Sequence, residues 1–303
     1  MNQPTFSWGT LLVLACAVLW GTVGVTTRGI YSLADTDPLS IGFYRLLISV
    51  PVLAALATGS LGRKILQPRA GVAPRWGRDL GYMAGFGAMM ALYQVCYFAA
   101  IPRLGVTIAV IVTICSAPIM VAVLSALLFN EKITPRVVTA LMAAVLGTSL
   151  LALQGPVDAP VGGETVIGLL FALGSGLGYA VLTLFSRALA ERYHPLQPVT
   201  VAFAVGALLL FPLAFAGGLT IDYPTEAWGL LIYLGVVPTA LAYWLFLLAL
   251  RTVPATVASI LTLLEPLTSA TLAALIFNES LSALGWAGAV LLLGALLVLL
   301  VKR

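Results

Sequence analysis

This chain of 303 residues is 61% apolar and only 9% charged, whereas an ordinary soluble domain carries roughly 25% charged residues. A soluble globular protein could not bury that much apolar surface, so this composition excludes a soluble globular protein. The formal net charge is +4, with one histidine and three cysteines. The cysteines lie inside apolar runs and His194 lies in a predicted loop, which argues against a disulfide framework and against a metal site in the membrane.

Apolar segments long enough to cross a bilayer recur along the whole chain. Residues 104–129 carry no charge and exceed the roughly 20 residues that a spanning helix needs. The alternation of apolar and polar residues that marks β-barrel strands is missing. The sequence therefore predicts an all-α integral membrane protein with ten spans, centred near residues 18, 48, 90, 116, 145, 176, 206, 238, 265 and 291.

The distribution of Lys and Arg predicts the orientation. With the N-terminus in the cytoplasm, the outer side keeps only two basic residues, Arg28 and Arg103, and twelve lie on the inner side. Because cytoplasmic loops are enriched in Lys and Arg, we expect both termini to be cytoplasmic. The inner set comprises Arg63, Lys64, Arg69, Arg75, Arg78, Lys132, Arg136, Arg187, Arg192, Arg251, Lys302 and Arg303.

The tetrad LFNE at 128–131 returns as IFNE at 276–279, at an offset of 148 residues. The same offset aligns Pro118 with Pro266, and a duplication explains such matches better than chance does. The repeats are predicted over 1–154 and 165–303, with five spans in each. Because five is odd, the second repeat must enter the membrane from the opposite side, which makes a 5+5 inverted repeat. This construction recurs in secondary transporters.

These segments resemble the EamA-type transporters of the drug/metabolite transporter superfamily. The resemblance lies in AVLWGTVGV at 17–25, FYRLL at 43–47, the pair APIMVAVLSALLFNE and EPLTSATLAALIFNE, and GALLVLL at 294–300. It covers the whole chain. It implies a ten-helix export carrier with a central cavity lined by spans 1, 3, 4, 6, 8 and 9, whose relatives move amino acids and other small metabolites.

Glu265 is the main candidate for chemistry, because it is the only acidic residue predicted well inside a span. Such a residue usually faces the protein interior or a water-filled cavity. Helical spacing puts Ser259, Thr262 and Ser269 on the same face, which we expect to line the cavity. The alternative is a protonated carboxyl group that hydrogen-bonds between helices. Its repeat-related position is Ala117, so any role of this charge is asymmetric.

Two prolines and one arginine are further candidates. Pro118 and Pro266 should kink spans 4 and 9, and the carbonyls that they free, near Ile114 and Thr262, could bind substrate or water. The alternative is a fixed structural kink. Arg45 lies a turn or two below the outer surface, where it could reach the headgroups or pair with an acidic loop residue. The sharper alternative is that Arg45 attracts an anionic group towards the site.

Aromatic and polar side chains in the central spans predict an amphipathic substrate, since aromatic faces bind ammonium groups and stack on rings. Packing or interfacial anchoring is the alternative for any one of them. Together with Glu265, the predicted substrate-binding residues are Trp20, Tyr82, Tyr93, Gln94, Tyr97, Ser116, Tyr179, Tyr243, Trp244 and Thr262.

The sequence predicts no catalytic residue, cofactor or metal, and no enzymatic activity. Walker motifs are absent, so transport must use a gradient. The basic stretch 60–78 is explained by topology and anionic lipids, without nucleic acid. We expect a secondary transporter in the cell inner membrane that exports small amphipathic metabolites, above all aromatic or hydrophobic amino acids, with Glu265 a candidate for proton coupling. The alternatives are an exporter of drugs or other metabolites, a channel, or an intramembrane enzyme.

Overall fold

The computed structural model describes residues 8–61, 75–153, 164–277 and 281–300, and within these ranges it contains helices and no strands. Ten segments there are long and apolar enough to span a membrane, which confirms the ten predicted spans. The helices are α1 Trp8–Leu33, α2 Pro38–Leu61, α3 Trp76–Leu104, α4 Val106–Phe129, α5 Pro135–Ala152, α6 Glu164–Ala190, α7 Leu196–Ala216, α8 Thr225–Leu234, α9 Ala242–Ala249, α10 Ala255–Leu261, α11 Leu264–Phe277 and α12 Ala283–Leu300.

Short polar residues set several helix ends. The Asp37 carboxylate accepts the backbone N–H of Leu39 at 2.8 Å at the start of α2, and the Thr134 hydroxyl accepts that of Val137 at 3.3 Å at the start of α5. Such caps satisfy N–H groups that have no partner within the helix. At the end of α4, Asn130 adopts a left-handed conformation with φ 53°, which asparagine tolerates better than most residues.

Two spans are not regular α-helices. Span 8, Thr225–Ala249, consists of α8, a π-helical segment Gly235–Leu241 that contains Pro238, and α9. Proline removes one backbone donor, and π-helical turns are a frequent response to such a disruption. Span 9, Ala255–Phe277, is divided into α10 and α11 at Thr262 and Leu263.

The two predicted proline kinks have different outcomes. α4 is one helix throughout, including Pro118, whereas span 9 is interrupted just before Pro266. The prediction of a free carbonyl at Thr262 is wrong, because that oxygen accepts the backbone N–H of Glu265 at 2.9 Å. At the break, the backbone N–H of Glu265 donates to an oxygen three residues earlier in the chain. This hydrogen bond replaces the one that Pro266, which has no N–H, cannot donate to the same oxygen.

The helices pack in a defined set of neighbours. α3 and α4 both pack against α6, while α1 packs against spans 8 and 9. α7 packs against both α2 and α3, and α5 packs against α12. Glycines permit the closest crossings: a Cβ atom on Gly147 would lie 2.8 Å from the Gly288 oxygen, and one on Gly21 would lie 2.5 Å from the Thr268 Cβ. Small residues at such crossings are typical of membrane helix packing.

Burial is unequal along α1 and span 9. We define the inner end as the end where α1 begins and α12 ends. In α10, on the inner side of the break, six of seven residues are buried, whereas α11, on the outer side, has no buried residue. In α1, eight of the nine buried residues precede Thr22, and the remaining one is Ile30. α1 and span 9 are thus buried at the inner end and partly accessible towards the outer end.

Candidate functional site

Glu265 lies in the first turn of α11, directly after the break in span 9. Its side chain is partly accessible although the residue is in the middle of a span. Within the described part of the chain, its carboxylate accepts no hydrogen bond and forms no ion pair. A carboxylate without a partner at this depth in a span marks a candidate functional site.

Four tyrosines on three spans surround this carboxylate within electrostatic range: Tyr93 and Tyr97 on α3, Tyr179 on α6 and Tyr243 on α9. The rings of Tyr93 and Tyr179 pack edge to face with centroids 6.3 Å apart. Tyr93, Tyr97 and Tyr179 are partly accessible. Together with Glu265 they therefore line partly accessible space between α3, α6 and span 9, which we call the cavity.

The Tyr243 side chain belongs to an aromatic floor on the inner side of this cavity. Its ring lies 4.9 Å from Trp20 and 5.1 Å from Phe203, and Trp20 also contacts Phe246 at 5.3 Å. All four residues are buried. The indole N–H of Trp20 has no acceptor among the described residues. Packed aromatic rings in this layer separate the cavity from the inner end.

The structure separates several other predicted site residues from Glu265. Tyr82 lies near the inner end of α3, where its hydroxyl accepts two hydrogen bonds from Arg78 at 2.7 and 3.0 Å and its ring packs on Phe185. Gln94 is buried, and its side-chain oxygen lies against Gly42 of α2. These two side chains are placed in helix contacts, and neither is in the tyrosine group around the carboxylate.

Ser116, Trp244 and Thr262 are next to the cavity but are partly or wholly occupied in packing. The Ser116 hydroxyl donates to the Thr113 carbonyl at 3.3 Å and lies against Gly176 of α6. Trp244 packs on the main core. Thr262 is buried and donates to the Ser259 carbonyl at 2.9 Å. The break in span 9 thus divides the predicted polar face, with Ser259 and Thr262 buried and Glu265 and Ser269 partly accessible.

Arg45, for which attraction of an anionic group was one of the two sequence-based alternatives, lies near Glu265 but is not among the predicted substrate-binding residues. Its Nε donates to the Thr239 hydroxyl in the π-helical segment at 3.3 Å, and its charge is within electrostatic range of Glu265, Tyr93 and Tyr243. The side chain therefore does not pair with an acidic loop residue. Pro238 was the available signal for this arrangement, because a proline in the middle of span 8 predicts irregular backbone there.

Polar contacts between distant segments close the inner end. The Glu131 carboxylate, just after α4, accepts the backbone N–H groups of Ala255 and Thr256 at 2.9 and 3.1 Å. Asp79 of α3 forms an ion pair with Arg192 at 2.8 Å and accepts the Tyr193 hydroxyl at 2.9 Å. These contacts join segments more than 100 residues apart in the chain, so they hold the inner ends of several helices together.

A separate open groove of about 600 Å³ lies between α2 and α7 and is lined by apolar residues such as Phe43, Pro51 and Phe211. It does not include Glu265 or any tyrosine of the cavity. Over the described ranges, no group of three His, Cys, Asp or Glu side chains could hold a metal ion. The cavity around Glu265 is therefore the part of the molecule where charge, accessibility and aromatic surface coincide.

Comparison with known proteins agrees with this architecture. The chain is 32% identical to the uncharacterized transporter YwfM of Bacillus subtilis (strain 168), over 96% of this chain and 93% of that protein. It is 26% identical to the uncharacterized inner membrane transporter YicL of Salmonella typhimurium, over 96% and 94% of the two chains. A crystal structure with 19% sequence identity has the same fold, with a TM-score of 0.79 over 96% of this chain and 95% of the other.

The family model of EamA-like transporters matches residues 7–153 and 166–301, which together make up most of the chain. The ten apolar spans fit a multi-pass membrane protein of this kind. These two relatives are named as transporters. The chain belongs to the EamA-like transporter family.

Proposed function

We propose that this protein is a secondary transporter that exports small amphipathic metabolites, above all amino acids, by alternating access. The observation that carries the proposal is the Glu265 carboxylate, which faces an accessible cavity in the middle of the spans without a protein partner. An ammonium group would supply the missing positive charge, and the tyrosine faces around it would stabilise that group by cation–π attraction. Aromatic or aliphatic side chains would contact the same rings.

Alternating access would follow from two five-helix repeats over 1–154 and 165–303, inverted with respect to each other. The packing supports this proposal, because exchanging spans 1–5 with spans 6–10 converts the contact of α3 with α6 into that of span 8 with α1. The α2–α7 and α5–α12 pairs are converted into themselves. In such a protein, exchange of the two repeat conformations turns an outward-open cavity into an inward-open one.

Cytoplasmic termini are part of the same proposal, supported by the excess of Lys and Arg at the inner end. With that orientation, the cavity opens away from the cytoplasm and the tightly packed inner end is the cytoplasmic gate. The membrane would be the cell inner membrane. One relative of similar length is named an inner membrane transporter.

A saturable carrier is distinguished from a channel by counterflow in proteoliposomes. Vesicles loaded with unlabelled L-phenylalanine or L-leucine should transiently accumulate the labelled amino acid from outside, because a carrier exchanges its substrate across the membrane. Empty vesicles are the control. Flux that does not saturate and shows no counterflow would indicate a channel. A panel of cationic drugs in the same vesicles tests the drug exporter, which would show counterflow with those compounds only.

Proton coupling through Glu265 is tested in the same vesicles. The charged and titratable groups facing this carboxylate are Arg45 on α2, Tyr93 and Tyr97 on α3, Tyr179 on α6 and Tyr243 on α9. If Glu265 binds a proton in alternation with substrate, a pH gradient should drive accumulation in the wild type and not in Glu265→Gln. The matched control is Glu226→Gln, at an exposed carboxylate near the start of α8. Accumulation unchanged in Glu265→Gln would disprove the coupling.

A further inference from the structure

Arg45 and Glu265 form two opposite charges in one cavity that do not touch. They lie on different helices, α2 and α11, within electrostatic range, yet no ion pair joins them in the described part of the chain. Opposite charges buried in a membrane protein usually pair directly or with backbone groups. The two charges therefore do not neutralise each other by direct contact, and a ligand that carries both opposite charges can pair with each of them.

The guanidinium group of Arg45 is held by one edge only. Its Nε donates to Thr239, and this is its only hydrogen bond to the described residues, so its two terminal nitrogens remain available. Those nitrogens form the planar fork that binds a carboxylate through two parallel hydrogen bonds. The side chain is partly accessible, as is Glu265.

The neighbouring backbone fixes the position of this group. Gly235, at the start of the π-helical segment, packs so closely on α2 that a Cβ atom there would lie 2.7 Å from Ile48 and 3.3 Å from the Arg45 carbonyl oxygen. The π-helical turn thus brings the Thr239 hydroxyl against Arg45, and proline at 238 accounts for the irregular backbone at this point. The Thr239 hydroxyl of span 8 thus holds one edge of the Arg45 guanidinium group.

We propose that Arg45 is the residue that selects the charge type of the substrate: it binds a carboxylate, while Glu265 binds an ammonium group of the same small molecule. This inference rests on the proposed transport function and adds the requirement that the substrate carry both charges. The carboxylate of the bound zwitterion pairs with Arg45 and its ammonium group pairs with Glu265, so neither protein charge remains unpaired in the membrane. A substrate with only one of the two charges leaves the other protein charge without a partner, which costs affinity.

The test measures binding to the purified full-length protein through the shift of its unfolding temperature, since a ligand of the folded state stabilises it. The probes are L-phenylalanine, L-phenylalaninamide, which lacks the carboxylate, and 3-phenylpropionate, which lacks the ammonium group. The same comparison is made with L-leucine, its amide, and its analogue without the ammonium group. The wild type should bind the amino acid at least roughly tenfold more tightly than either analogue, as expected for the loss of a charged hydrogen-bonded contact.

Each variant should remove one half of this discrimination. In Arg45→Gln, the amino acid and its amide should bind with equal affinity, while the preference over 3-phenylpropionate remains. In Glu265→Gln, the amino acid and 3-phenylpropionate should bind with equal affinity, while the preference over the amide remains. Lys132→Gln, at an exposed site beyond α4, is the control for loss of a positive charge. If Arg45→Gln fails to fold, Arg45→Lys keeps the charge without the planar fork and should weaken the amino acid without affecting the amide.

The outcomes separate this inference from the transport function. Counterflow of amino acids with an undiminished preference over the amide in Arg45→Gln or Arg45→Lys would overturn the role of Arg45 and leave the transporter intact. Equal binding of the amino acid and its amide by the wild type would overturn it too. Absence of counterflow for every compound tested would disprove the proposed function, and the inference about Arg45 with it.

Discussion

Glu131 binds Thr256 at the start of α10, 125 residues further along the chain, through two hydrogen bonds. One carboxylate oxygen of Glu131 accepts both the Thr256 backbone N–H at 3.1 Å and the Thr256 hydroxyl at 2.7 Å. The other oxygen accepts the N–H of Ala255 at 2.9 Å. The contact explains the sequence FNE at the end of α4. Phe129 ends the helix, Asn130 turns the chain in a left-handed conformation, and Glu131 then caps another helix.

We expect Glu131→Ala to destabilise the folded protein by about 1–3 kcal/mol, because it removes a carboxylate cap with charge-assisted hydrogen bonds. Thr256→Val removes only one of these bonds and should cost less. Denaturant unfolding in detergent measures both, with Lys132→Ala as the control at the neighbouring exposed position. The double variant should be less destabilised than the sum of the single variants, and strict additivity would mean that the two residues do not interact.

Tyr193 should make stability sensitive to alkaline pH. Burial, and then the hydrogen bond to the Asp79 carboxylate, raise the pKa of Tyr193 from 10.0 to about 12. Because the folded protein favours the neutral phenol, this contribution to stability is complete below pH 10 and is lost as the pH rises towards 12. Tyr193→Phe should therefore lose less stability over this interval than the wild type does. Unfolding temperatures measured at a series of pH values provide the comparison, and parallel curves would contradict the assignment.

The unequal packing of span 9 predicts which positions a reagent can reach. In a background without the native cysteines, a membrane-impermeant maleimide added from outside should label Ser269→Cys, which is partly accessible, and should not label Ser259→Cys, which is fully buried. Ser32→Cys, near the exposed outer end of α1, is the positive control. If the same reagent, applied from the cytoplasmic side in inside-out vesicles, labelled Ser259→Cys and not Ser269→Cys, the cavity would open towards the cytoplasm.

The contact of α1 with span 9 predicts a sensitive glycine. A methyl group on Gly21 would lie 2.5 Å from the Thr268 Cβ and 2.9 Å from the Glu265 carbonyl oxygen, so Gly21→Ala should separate the helices at the cavity. Overpacking of this kind costs about 1–3 kcal/mol. The matched control is Gly294→Ala in α12, where nothing lies within 4 Å. Thermal unfolding should show a loss for Gly21→Ala and none for Gly294→Ala; equal effects would exclude the close approach as the cause.

Residues on one predicted face were separated by distance along the helix. Tyr82 and Tyr97 share a stripe on α3, but fifteen residues of helix extend roughly 22 Å, so Tyr82 contacts Phe185 near the inner end while Tyr97 faces the cavity. Helical periodicity predicts direction around the axis, and the packing of neighbouring spans determines which layer is open. For the same reason Tyr243, which the sequence predicted to bind substrate, is buried in the floor.

The sequence alone determined the number and approximate positions of the spans and pointed to Glu265 as the main functional candidate, because a bilayer imposes its length and its intolerance of charge on each helix separately. Only the tertiary structure decided the direction of Arg45 and the partner of Glu131. Both depend on the approach of helices far apart in the chain: the π-helical turn in span 8 presents Thr239 to Arg45, and the start of α10 presents unpaired N–H groups to Glu131. Such contacts are set by helix packing, which the pattern of a single helix does not encode.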